Sequence, residues 1–368
     1  MKAEGIDIVS LAAGEPDFPT PEVICNAAKQ ALDEGFTRYA PTPGLPGLRQ
    51  LIAEKLTKEN HIAVTPANIV VSCGAKHSLY NAMQVLLDPG DEVIVFSPCW
   101  MTYLEQIRLA GAVPVEVKTT AESGFCPTLD DLKLSITPRT KAIIINSPSN
   151  PTGAVLSRQS LKEIAAVALR HELWVISDEI YEKLIYDVEH VSIASLGKEI
   201  AEQTITIGGC SKTYAMTGWR IGFMAAPLEV AKAVSNLQDQ VTSNAVTFAQ
   251  KGAIAALKMP DSEIEKVRQS FQRRRDLILS LLNEIPDVTT SKPDGAFYVM
   301  PDISAYYNDR IKDDCKMADY LLEEAKVAVV PGSVFGGAGH VRLSYAASEK
   351  NISEGVTRIA AALQLLRA

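Results

Sequence analysis

Lys212 stands just beyond the apolar run "TITIGG" (204–209), and Arg220 follows within the same stretch, "SKTYAMTGWRIG" (211–222). Asp178 closes the run "LWVISD" (173–178), with Tyr181 soon after it. Asn150 follows "KAIIINSP" (141–148), and "CGAK" (73–76) sets Gly74 at the head of a helical pattern. Each has an ordinary use when taken alone. A lysine at a strand end is commonly a solvated surface group. Asparagine before proline suits a turn, aspartate can cap a helix, and glycine can simply turn the chain. Together they place an amine, an acid, a phenol and an amide at the ends of successive buried runs. A phosphorylated, nitrogen-containing aromatic aldehyde asks for that set. The amine condenses with the aldehyde, and a carboxylate opposite the ring nitrogen keeps the ring an electron sink. Phenol and amide groups hold the ring oxygen. The phosphate sits on helix N-terminal amides with an arginine. Pyridoxal phosphate meets each requirement. Lys212 must be neutral to attack, and partial desolvation beside a cation depresses a lysine pKa.

The elements that must position these groups are legible as alternating patterns. "NIVVSCG" (68–74), "EVIVFSP" (92–98), "AVPVEV" (112–117), "KAIIINSP", "LWVISD", "TITIGG" and "RIGFMAAP" (220–227) read as buried strands. Helical periods lie between several of them: residues 75–87 form one, and Leu161, Ile164, Ala165, Ala168 and Leu169 make another apolar stripe. Strands alternating with helices imply an α/β unit, a mainly parallel seven-stranded sheet covered on both faces, spanning 42–285. Such sheets bind ligands beyond the carboxyl ends of their strands, where the polar residues above sit. Residues 263–285 read as one long amphipathic bridging helix. Beyond it "GAFYVM", "VAVVPG" and "HVRLSYA", with a last helix striped at Ile352, Val356, Ile359, Leu363 and Leu366, form a smaller α+β unit. Residues 1–41 do not fit the parallel pattern and are assigned with 286–368 to that unit, which is therefore discontinuous in sequence. In "HVRLSYA", Val341 and Leu343 face one side and Arg342 and Ser344 the other. A buried arginine there needs an anion, either a substrate carboxylate or an internal acid.

Composition removes several function classes. The 368 residues are 47 % apolar and 22 % charged, an ordinary globular balance, with a net charge of −8. No basic stretch is long enough to track a phosphate backbone, so nucleic acid is not an expected partner. No apolar run is long enough to span a membrane, and the first residues lack the apolar stretch of a secretory signal. Six scattered cysteines without a CxxC pattern read as reduced cytoplasmic thiols. The five histidines show no metal-ligand spacing, and no metal is expected.

The stretches "AAGEPDFPTPE" (12–22), "NSPSNPTGAV" (146–155), "SDEIYEKLIY" (177–186), "SKTYAMTGWRIG" and "GHVRLSYA" (339–346) resemble, in register and over nearly the whole chain, the class I aminotransferases of the fold-type-I pyridoxal-phosphate enzymes. Within that family they are similar to the bacterial aspartate aminotransferases, including relatives that also use prephenate. The resemblance implies that Lys212 bonds the cofactor and shuttles the reaction's proton. It implies that Asp178 pairs with the ring nitrogen, that Tyr181 and Asn150 bond the ring oxygen, and that Trp100 stacks on the ring. Gly74, Ala75, Ser211 and Arg220 would hold the phosphate, with Tyr39 reaching it from the partner of a homodimer. Arg342, helped by Asn150 and the Gly14 backbone, would clamp the substrate α-carboxylate. Lys76, also in the cofactor-binding set, would meet the distal carboxylate of a dicarboxylic substrate. The implied reaction is a ping-pong transfer between aspartate and 2-oxoglutarate. The alternatives are a prephenate or aromatic aminotransferase, or a lyase using the same cofactor. The chain departs from the family at Gly209, where a hydroxyl residue is usual, and at Cys99, where tyrosine is common. Relatives also usually extend further before "GID" (5–7), forming an arm over the partner subunit.

Overall fold

A computed structural model describes residues 5–367. Its centre is a seven-stranded sheet, the α/β architecture read from the sequence. In spatial order the strands are Ile69–Ser72, Gly222–Ala225, Thr204–Gly209, Trp174–Asp178, Thr140–Asn146, Glu92–Ser97 and Val113–Lys118. All run parallel except Gly222–Ala225, which is antiparallel to both neighbours. The near-continuous apolar runs follow from burial on both faces. Along one strand, Ala142 and Ile144 pack with Leu79, Met83, Ile107 and Val234 of the helices on one side. Ile143 and Ile145 pack with Leu161, Ile164 and Ala168 of the helix Arg158–Arg170 on the other. Each such isoleucine contributes roughly 1.5–3 kcal/mol by leaving water.

The C-terminal unit holds an antiparallel sheet ordered Val330–Pro331, Val341–Ser344, Tyr298–Val299, and a short parallel pair joining Val9–Ser10 to Val327–Ala328. Val9 and Leu11 therefore share a core with Tyr298, Leu343 and Ile352. The rest of the N-terminal stretch behaves differently from the expectation for 1–41. The helix Glu22–Asp33 packs on the helix Thr247–Leu257, and its Ile24 joins the core of Ile69, Val71 and Phe223 beneath the large sheet. The reason is complementarity. Ile24, Ala28 and Ala31 form its buried face, and Gly252, lacking a Cβ, lets Ile24 and Trp219 approach the facing helix. The bridging helix runs Asp261–Asn283, with Pro260 as its cap and acidic residues in its first turn, where the helix dipole favours them. Ile264 near its start packs with the large sheet's core, whereas Phe271, Ile278 and Leu282 join the C-terminal core. Among the described residues, no helix is long and apolar enough to cross a membrane.

Candidate active site

The carboxyl ends of the parallel strands open on a cavity of about 430 Å³. Gly14, Ala75, Lys76, Trp100, Asn150, Asp178, Tyr181, Ser211, Lys212, Arg220 and Arg342 all line it. Of the residues singled out from sequence, Gly74 and Tyr39 do not. Gly74 lies immediately behind the wall, where a Cβ would overlap the Arg220 guanidinium. Tyr39 is 90 % exposed and contributes nothing to this cavity within its own chain. The sequence reading missed Tyr103, Asn146, Thr217 and Tyr298, which also line the cavity. Tyr103 falls a helical turn after Trp100, a spacing that could have flagged it. Tyr298 arrives from the other unit, and its neighbours in sequence do not announce it.

Asp178 is the last residue of its strand and only 2 % exposed. Its Oδ2 accepts from the Tyr103 hydroxyl at 2.8 Å and its Oδ1 from the Ile180 amide at 3.2 Å. Burial pushes its pKa up to about 6, and these two donors restrain the rise. Asn146, at the end of the next strand, donates to the Asp178 carbonyl at 3.0 Å and accepts from the Asn150 amide at 2.9 Å. The Tyr181 hydroxyl shares a hydrogen bond of 2.9 Å with that of Tyr298, and burial holds the Tyr181 pKa well above the usual phenol range.

Lys212 Nζ donates to the Gly14 carbonyl at 2.6 Å. Burial is the main cause lowering its pKa to about 8, with Arg220 and Arg342 acting in the same direction. Arg220 adopts a left-handed backbone (φ 56°) and donates from Nη1 to the Thr217 carbonyl at 2.8 Å. Its guanidinium faces the start of the helix Ala75–Leu86, whose entry residue Gly74 has φ 86°. Gly222 on the facing strand completes the close approach, since a Cβ there would overlap the Ala75 amide. The result is a glycine-walled cup with helix N-terminal amides, the Ser211 side chain and one cation around it, suited to a phosphate.

Arg342 is 6 % exposed. It donates to Asn150 Oδ1 and the Ala12 carbonyl, both at 2.9 Å, and its guanidinium carbon is 4.5 Å from the centre of the Tyr298 ring and 4.9 Å from that of Phe335. Among the described residues it has no carboxylate partner, and its Nε is buried without a hydrogen bond. No internal acid among the described residues is its counter-charge, and burial lowers its pKa. Lys76 is exposed, with Nζ 4.8 Å from the centre of the Trp100 ring. Trp100 in turn meets Tyr103 edge to face at 5.5 Å.

Other concentrations of polar groups lack this convergence. A cleft of about 780 Å³ at the amino ends of the strands, between residues 61–64 and 227–230, has no comparable set of converging groups. Glu179, Glu182 and His190 bring ligand-type atoms within 4.8 Å of one another. Lys55 and Asn60 hold Glu182, while Ser177, Ser192 and His190 hold Glu179, so the cluster is already compensated.

The class I and II aminotransferase family matches residues 6–359. A chain of Aquifex aeolicus named as a probable aspartate/prephenate aminotransferase is 50 % identical over 367 residues, 99 % of this chain and 93 % of its own. The structure of Thermus thermophilus aspartate aminotransferase with maleate superposes with a TM-score of 0.93 at 45 % identity, covering 98 % of this chain and 93 % of that one. An aromatic aminotransferase from Pyrococcus horikoshii gives 0.94 at 43 % identity, covering 100 % and 98 %.

Proposed function

The chain belongs to the class I and II aminotransferases, and from that premise we propose that it moves the amino group of aspartate to 2-oxoglutarate with pyridoxal 5′-phosphate held in the cavity around Lys212. The observation that carries this reading is the meeting, in one cavity, of the Lys212 amine, the buried Asp178 carboxylate and the Arg342 guanidinium, which has no carboxylate partner among the described residues. The residues present fit the group. The glycine-walled cup takes its phosphate, with Gly74, Ala75, Ser211 and Arg220 around it. Asp178 would pair with its ring nitrogen, Tyr181 and Asn150 would bond its ring oxygen, and Trp100 would stack on its face. When bound, the cofactor supplies an electron sink for charge developing at the substrate Cα.

Lys212 does the proton work. Burial, which lowers its pKa to about 8, favours the neutral amine that can take the proton from the substrate Cα as a general base. Arg342 receives the α-carboxylate through its planar fork. The Tyr298 and Phe335 rings lie against its guanidinium. Lys76 supplies a cation for a second carboxylate. Arg342 belongs to the C-terminal unit and Asn150 to the sheet unit, so we further propose that the two units close on the substrate. Tyr39, free of contacts that would bury it, is proposed to reach the phosphate of a second subunit. The six free cysteines favour a reducing cytoplasmic setting.

A panel of amino donors with 2-oxoglutarate, and of acceptors including prephenate, tests the reading. Paired amino-acid and oxo-acid products are expected, fastest with aspartate. Ammonia or carbon dioxide release without a paired product would point to lyase or decarboxylase chemistry. Lys212→Ala should abolish turnover and leave only noncovalent cofactor binding.

A further inference from the structure

Lys212 is also held from the mouth of the cavity, by a segment distant in sequence. Beyond the Gly14 carbonyl that accepts from its Nζ, Glu15 is exposed, and Glu15 Oε2 accepts from Thr217 Oγ1 at 2.6 Å. Thr20 Oγ1 donates to the Ala215 carbonyl at 2.5 Å and accepts from Trp219 Nε1 at 3.1 Å. Residues 12–20 therefore lie as a strap across the loop that carries Lys212. Towards the C-terminal unit the same strap is tied by Ala12 to Arg342 and by Asp17 to Arg274.

The charged and aromatic groups facing Lys212 come from every surrounding element. The charges acting on it are Asp178 of the sheet, Arg220 of the lysine loop, Arg342 of the C-terminal strand and Glu15 of the strap. The Tyr181 ring lies 5.9 Å from Nζ. The two arginines favour the neutral amine and the two carboxylates the charged one, with Glu15 the stronger of the pair. Asp178 is already committed to Tyr103 and the Ile180 amide. In the function proposed above it also serves the cofactor ring. Glu15, engaged through Oε2 by Thr217, is the other carboxylate acting on the lysine.

Building on that reading, we propose that Glu15 is a positioning residue for Lys212: pinned by Thr217, it seats the strap so that the Gly14 carbonyl and the Glu15 carboxylate together favour the protonated lysine nitrogen. Lifting the strap withdraws both at once, which couples seating of residues 12–20 to the protonation state of the reacting nitrogen.

The test is a pH titration of the visible absorbance of the cofactor-loaded protein, whose midpoint reports the proton on the Lys212 nitrogen. Glu15→Gln should lower the midpoint by about half a unit to one unit, a roughly three- to tenfold change in proton affinity. Thr217→Val should move it the same way, while Glu15→Asp, which keeps the charge, should stay nearer the wild type. Glu15 is exposed, so melting temperatures should hardly differ among these variants. A visible band with an unchanged midpoint in Glu15→Gln overturns the inference alone, and so does a midpoint in Glu15→Asp as low as in Glu15→Gln. No visible band in the wild-type protein supplied with pyridoxal phosphate would overturn the proposed function, and this inference with it.

Discussion

Arg342 Nη1 and Asn150 Oδ1 meet at 2.9 Å although 192 residues separate them in sequence. The bond joins the C-terminal unit to the end of the large sheet and fixes one arm of the guanidinium. Hydrogen bonds to charged groups are worth about 1.5–3 kcal/mol each, and a bidentate clamp makes two. Arg342→Leu should therefore cut kcat/KM for aspartate by roughly 10²- to 10⁴-fold. Arg342→Lys should recover only part of this, because an ammonium cannot reproduce the fork. Steady-state kinetics with both variants checks the assignment, and a Leu variant within threefold of wild type would remove Arg342 from the substrate site.

Tyr103 donates to a carboxylate whose pKa burial has already raised to about 6. Tyr103→Phe removes a donor that favours the ionised form, so the Asp178 pKa moves further up. In the cofactor-free protein the pH at which Asp178 titrates, followed through the pH dependence of thermal stability, should move up by about one unit. An unmoved titration would mean that the Tyr103 hydroxyl does not support the ionised carboxylate.

Much of this site could be read before any coordinates, and the reason is topological. A parallel sheet gathers its strand ends on one edge, so Asp178, Asn150 and Lys212 declare themselves as polar residues closing apolar runs. Arg342 could be read from strand alternation, which puts it opposite Val341 and Leu343. What could not be read depends on juxtaposition. Gly222 matters because of where Gly74 and Ala75 lie in space, and no local pattern carries that information. The helix Glu22–Asp33 shows the same limit: its apolar stripe says which face is buried, not which unit covers it.

In the cofactor-free protein Asp178 costs stability near neutral pH. Its folded pKa of about 6 lies above the ordinary value of 3.8. Between these values the folded state keeps a proton that the unfolded chain has released. The group's contribution is therefore fully present below about pH 4 and lost as pH rises through about 6. Asp178→Asn removes the buried charge, and its melting temperature relative to wild type should climb between pH 4 and pH 7, by an amount equivalent to about 2 kcal/mol. Adding pyridoxal phosphate should stabilise the wild type more than the variant. A difference independent of pH would rule out ionisation of Asp178 in that window.

Gly222 leaves room for the Gly74–Ala75 turn, and a methyl group there would overlap backbone rather than a movable side chain. Gly222→Ala must displace the start of the helix Ala75–Leu86 or the strand that carries it. Overpacking of this kind costs about 1–3 kcal/mol, and the displaced amides should hold phosphate poorly. Thermal melts and cofactor retention on dialysis measure the two effects separately. A variant that keeps both would show that the cup tolerates a shift larger than the glycine geometry allows.

Lys76 sits over the Trp100 ring at 4.8 Å, one face of its ammonium against an aromatic and the rest open to the cavity. The ring holds the side chain over the mouth without neutralising it, leaving its charge for an incoming anion. A single ion pair in this half-open setting is worth about 1–3 kcal/mol. Lys76→Leu should lower kcat/KM for aspartate by about tenfold or more while changing that for alanine or phenylalanine by less than threefold. The ratio matters more than either value, since a general disturbance of the Trp100 wall would depress all donors alike. Equal losses for aspartate and a neutral donor would assign Lys76 to the pocket's structure and move the search for the distal carboxylate's partner elsewhere in the cavity.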